Sequence, residues 1–138
     1  MIKTLLITTL VLATAWKANA QPNMLGKTRD YIKASSYLPG SIGSFDKEDL
    51  VNDSTTFLQL VDRENKNVHF RYYLTKGICD YYVIMQPKSD MARWVETLNS
   101  TYTKTNTTEW VSKEMDMKIS ILYLDDADVF TTGFSSLK

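Results

Sequence analysis

Two residues in this chain have reactive side chains that could do covalent or acid–base chemistry together. Cys79 is the only cysteine and His69 the only histidine. A cysteine nucleophile acts as its thiolate and needs a basic or cationic neighbour to form it. The two residues fall on neighbouring predicted strands, so a thiol-dependent or other hydrolytic enzyme using Cys79 is one reading of the chain. The plainer reading makes Cys79 a small buried hydrophobe. A serine relay would also have to use His69, which strand alternation places on the wetter face, and no serine stands in a nucleophile elbow. The carboxylate pairs Asp62/Glu64 and Glu114/Asp116 flank predicted turns, where charged residues are expected anyway, so they do not define an acid–base pair. No catalytic set is assigned.

Cation and phosphate chemistry are weighed the same way. Asp125, Asp126 and Asp128 cluster after a strand, but the spacing of a calcium loop and its closing glutamate are missing, which leaves a solvated turn. One histidine and one cysteine cannot supply the several soft ligands of a zinc site within one chain. Gly26-Lys27-Thr28 ends like a phosphate-binding loop, yet position 21 is Gln where that loop needs glycine, and no strand precedes it. These residues are better read as a helix start. No metal and no cofactor are expected. Three Asn-x-Ser/Thr triplets, at Asn52, Asn99 and Asn106, are read as chance matches.

The N-terminus carries the clearest functional signal. Met1-Ile2-Lys3 is basic, Leu5 to Ala15 is apolar or neutral, and Ala18-Asn19-Ala20 offers small residues to a peptidase, the three-part layout of a secretory signal. The apolar run is short of the roughly 20 residues a membrane-crossing helix needs. We therefore expect residues 1–20 to be a signal peptide, 21–138 to be a single α+β domain, the product to be exported to the periplasm or secreted, and no transmembrane segment to remain after cleavage. No cysteine stands at the cleavage site to carry a lipid. The whole chain has 16 basic and 16 acidic residues; losing Lys3 and Lys17 with the signal leaves it two charges negative. That balance argues against nucleic acid as a partner, because such affinity comes mainly from neutralising phosphates.

Periodicity gives the elements that must position any site. Residues 23–36 read as a helix capped by Thr28, with Tyr31 and Ile32 facing inward. Pro39 and the glycines at 40 and 43 open a loop, and 46–51 reads as a short helical turn. Strands are expected at 56–62, 68–75 and 78–86. In the second, Val68, Phe70, Tyr72 and Leu74 alternate with His69, Arg71, Tyr73 and Thr75, the pattern of a strand with one buried face. Lys76-Gly77 makes a tight hairpin. In the third strand, Cys79, Tyr81, Val83 and Met85 share one face, with Ile78, Tyr82 and Ile84 on the other. Residues 90–102 form the strongest helix, with Met91, Trp94, Val95, Leu98 and Tyr102 at helical spacing. A polar loop at 103–107, a hairpin of 108–114 and 117–124, and a tail able to add an edge strand complete the chain.

Met24-Leu25-Gly26-Lys27-Thr28-Arg29-Asp30-Tyr31-Ile32 resembles the helix opening Gly-x-Thr-x-x-x-Val/Ile of small exported bacterial domains of the beta-lactamase-inhibitor-protein-like class. The resemblance implies helices packed on an antiparallel sheet and a role in binding proteins or supporting the envelope. It carries over no functional residue.

The resulting expectation is an α+β fold: an antiparallel sheet of about five strands with two helices packed on one face, in the order α-β-β-β-α-β-β. The favoured function is a non-enzymatic exported domain that binds an envelope protein or small ligand. Its binding patch is Tyr73 with Arg71 and His69 on one strand and Tyr82 on the next, since outward aromatics beside arginine make good contact surfaces. A homo-oligomer built through an exposed edge strand is the third reading.

Overall fold

The computed structural model describes residues 23–38, 41, 43–123 and 128–138. The expected signal peptide, Pro39, Gly40, Asp125 and Asp126 lie outside the described residues.

The chain forms α1 (Arg29–Ser35), four strands β1 (Gly43–Leu50), β2 (Thr55–Asp62), β3 (His69–Thr75) and β4 (Ile78–Pro87), a 3-10 turn (Lys88–Asp90), α2 (Met91–Thr101), and four more strands β5 (Thr103–Asn106), β6 (Glu109–Ser112), β7 (Met117–Tyr123) and β8 (Val129–Ser136). The α+β character holds, but the expected sheet of about five strands and its order do not. There is one eight-stranded sheet in the order β1-β2-β3-β4-β8-β7-β6-β5, and all its pairings are antiparallel. Each half is a helix followed by a four-stranded meander. The last strands of the two halves, β4 and β8, pair at the centre. Three strands escape the sequence pattern for one reason: hydrophobic alternation reports burial, not pairing. Residues 46–50 of the expected helical turn belong to edge strand β1, whose charged positions stay exposed and whose register slips between Phe45 and Lys47. Strand β5 is exposed at all four positions and shows no alternation to read. The tail is not an edge: β8 lies between β4 and β7, with Phe130, Thr132 and Phe134 buried.

Local signals explain where the helices start. Gly26 has a positive φ of 79°, a conformation glycine adopts at little cost, and Asn23 Oδ1 accepts a hydrogen bond from the Leu25 N–H. The chain therefore turns before α1, and helix begins at Arg29 rather than at 23. Thr28 is the cap expected, its Oγ1 accepting from the Tyr31 N–H at 3.2 Å. Ile32 is fully buried, whereas Tyr31 turns outward against expectation, with Lys27 Nζ 5.0 Å from its ring centre.

Both helices bury their apolar residues in one core. Ile32 of α1 and Leu98 of α2 join Leu58, Leu60, Phe70, Tyr72, Ile84, Trp110, Met117, Ile119 and Phe134, with Trp94, Val95 and Tyr102 packed against them. Side-chain hydrogen bonds tie helix to sheet: Trp94 Nε1–H donates to Thr132 Oγ1 at 2.8 Å, and Trp110 Nε1–H to Asn99 Oδ1 at 2.9 Å. The helices thus cover one face, and the opposite face is left for the site. Among the described residues no helix is long and apolar enough to cross a membrane.

Candidate binding face of the sheet

The uncovered face is organised by register. Strand pairing sets Lys47, Gln59, Arg71, Val83 and Gly133 in one row across β1, β2, β3, β4 and β8. The next row holds Asp49, Phe57, Tyr73, Tyr81 and Ser135. Side chains in neighbouring rows point to the same face because the strand period is two. Three aromatic rings follow one another along the second row: Phe57 and Tyr73 lie 6.2 Å apart between centres, and Tyr73 and Tyr81 lie 5.7 Å apart. Tyr81 is 40% exposed at the end of this series. Its ring lies over Gly133, where a Cβ would stand 3.0 Å from Cζ, so glycine there makes room for the tyrosine.

The first row is polar and tightly bonded. Gln59 is buried, and its Oε1 accepts from Arg71 Nε at 3.0 Å and Nη2 at 2.6 Å. Its Nε2 donates to Asp46 Oδ2 at 2.9 Å and lies 3.3 Å from His69 Nδ1. The amide oxygen accepts twice and the amide nitrogen donates to Asp46, which locks Gln59 and, through it, the guanidinium of Arg71. Arg71 lies 4.3 Å from the Phe57 ring centre, and Lys47 Nζ approaches the same ring at 5.9 Å.

Three of the expected site residues, His69, Arg71 and Tyr73, are brought together here. The fourth, Tyr82, is not. It is 3% exposed on the helix-covered face, stacked on Phe134 at 4.6 Å and 8°, with its hydroxyl directed at Met117 Sδ. Ile84 is buried with it. The register slips between β3 and β4, so that Tyr73 pairs with Tyr81 but Leu74 pairs with Cys79. Asp80 is the extra residue of this bulge, and one extra residue sends the remainder of the strand to the other face. Tyr81 takes the place expected of Tyr82. Phe57, Gln59, Lys47 and Asp46 were missed as well. The parity of Phe57, Gln59 and Val61 in their strand was legible, as was the polar turn at 64–67 that joins β2 to β3, but the expected patch stopped at β3 and β4, and β1, which brings Lys47 and Asp46, was read as a helical turn.

Cys79 goes to the covered face, packed in the core. Burial pushes its thiol from 9.0 up to about 12, outweighing the opposing hydrogen bond to the Tyr81 carbonyl, and Asp80 adds a smaller upward push. Its partner in the enzymatic reading, His69, projects from the other side of the sheet, so the two do not form a nucleophile–base pair. The described residues contain no group of three or more His, Cys, Asp or Glu placed to hold a metal. Comparison with protein families, curated proteins and solved structures gives no match, so the site is argued from its own residues.

Proposed function

We propose that this protein is a small exported domain that binds a partner protein in the periplasm or outside the cell through the uncovered sheet face. One observation carries the reading: a row of aromatic rings, Phe57, Tyr73 and Tyr81, stands beside a guanidinium that Gln59 holds in place. Tyr and Arg are enriched among the side chains that dominate protein contacts; Tyr offers large area with little rotamer freedom to lose, and Arg71 is already held by Gln59. A rigid β-sheet displays them without the ordering cost that a loop would add. The N-terminal basic, apolar and small-residue sequence supports export, and the resemblance of residues 24–32 to beta-lactamase-inhibitor-protein-like domains supports a binding role.

Edge pairing into a homo-oligomer is less well supported. Strand β1 is charged, exposed and bulged, and β5 is four polar residues long; both are features that discourage strand addition.

Site-directed photo-crosslinking tests the reading in cells of the native host. A photoreactive phenylalanine at position 81 should give a discrete crosslinked species, whereas the same probe at Tyr37, exposed beyond α1, should not. Equal crosslinking from both positions, or none from 81, would remove this face as the binding surface. Mass measurement of the protein recovered outside the cytoplasm should show a chain beginning at Gln21.

A further inference from the structure

Arg71 spends only one edge of its guanidinium on the protein. Nε and Nη2 form the side-on pair with Gln59 Oε1. The end-on edge, Nη1 with the second hydrogen of Nη2, has no protein acceptor among the described residues. Arg71 and Lys47 make no ion pair among the described residues, unlike Arg29 and Lys118. Yet both cations converge on one ring, Phe57, at 4.3 and 5.9 Å. Two like charges held near each other repel, and neither is within ion-pair distance of a carboxylate among the described residues. The arrangement persists because Gln59 pins one of them and the ring face attracts both.

We propose that Lys47 and Arg71 form an anion subsite within the binding face, and that it takes a carboxylate carried by the partner beside an apolar or aromatic group. The proposal rests on the reading of this face as a protein-binding surface and names what it recognises. Guanidinium matches a carboxylate as a planar two-point fork, and the free end-on edge is such a fork. Lys47, two strands away in the same row, can approach the same anion from the other side. The aromatic row beginning at Phe57 lies immediately beside it, which places an apolar contact next to the charge. Two acids choose among anions. Asp46 is bound to Gln59, and Asp49, whose Oδ1 accepts from the Leu50 N–H, sits in the row beside Lys47. They balance the formal charge of the two cations, which disfavours a doubly charged phosphate more than a singly charged carboxylate.

Nuclear magnetic resonance titration of the full chain tests this with three probes: N-acetyl-phenylalanine, its uncharged amide, and inorganic phosphate. The acid should shift the Arg71 Nε–H and Gln59 side-chain amide signals saturably, and bind about tenfold more tightly than the amide, a difference of about 1.4 kcal/mol. Phosphate should bind more weakly than the acid. Lys47→Gln and Arg71→Gln should each erase most of the acid's advantage, while Arg71→Lys, which keeps the charge but not the fork, should fall between. Equal binding of acid and amide would overturn the anion subsite and leave the aromatic face standing. Tighter phosphate than acid would overturn the carboxylate assignment. Absence of any shift at Gln59 and Arg71 would also overturn the subsite, and the crosslink from position 81 then decides the face independently.

Discussion

Tyr81 and Tyr82 are neighbours in the chain and opposites in the fold. Tyr82 lies between Tyr72 and Phe134 under the helices, with ring centres 5.4 and 4.6 Å away. Tyr81 lies on the open face, against Tyr73 and over Gly133. The covered face uses its aromatics to hold the two halves of the sheet together across the β4–β8 pairing. The open face uses them as display. The difference between a core residue and a surface anchor here is one bulged residue, Asp80, and no property of tyrosine itself.

The largest test exchanges the two roles. Tyr82→Ser should cost about 3–5 kcal/mol of stability in urea unfolding, the range for emptying a buried aromatic site. Tyr81→Ser should cost less than about 1 kcal/mol, as a substitution on an exposed position does, while weakening partner capture. Similar stability losses from both would break the distinction between the faces.

Alkaline pH sharpens it next. Burial raises the Cys79 thiol to about 12 and raises the phenols of Tyr72 and Tyr82 as well. An unfolded chain loses these protons earlier, so the folded state binds more protons and loses stability as pH rises. The loss should begin as pH passes the ordinary thiol range and continue through about 12, with the thiol contributing on the order of 1 kcal/mol per pH unit. Cys79→Ala should flatten the first part of that fall in pH-dependent urea unfolding; an unchanged profile would mean the thiol is not held as the covered face implies. For the same reason Cys79 should react slowly with a disulfide reagent at pH 8 and quickly once urea is added.

Gly133→Ala tests the open face from beneath. The new methyl would meet the Tyr81 ring, which can swing outward because it is partly exposed. The expected cost is about 1–2 kcal/mol, together with loss of the crosslink from position 81. Retention of that crosslink would show that Tyr81 does not depend on the glycine. A small effect, on stability alone, belongs to the covered side: Thr28→Ala removes the cap of α1 and should cost about 1 kcal/mol in thermal or urea unfolding, with capture at the open face unchanged.

Much of this was legible before the fold. The alternation of β3 named His69, Arg71 and Tyr73 as one face, the Lys76-Gly77 turn is present with positive φ at both residues, and the stripe of α2 points into the core as its spacing implied. What escaped was pairing. The slip at Asp80 moved Tyr82 inside, and the edge strands β1 and β5 carried no buried stripe. The central place of β8 depends on a partner, β4, more than forty residues away in the register that joins Tyr82 to Phe134.

The chain's own sequence determined its turns, its two helices, the burial face of β3 and the chemistry available to a site, because those depend on residue type and on spacing within one element. Only the tertiary structure decided that two helix–meander halves close on one another, that Gln59 stands between Arg71 and Asp46, and that Tyr81 rather than Tyr82 faces out. Those depend on which strands become neighbours and where a register slips, and a single strand's periodicity carries no record of its partner.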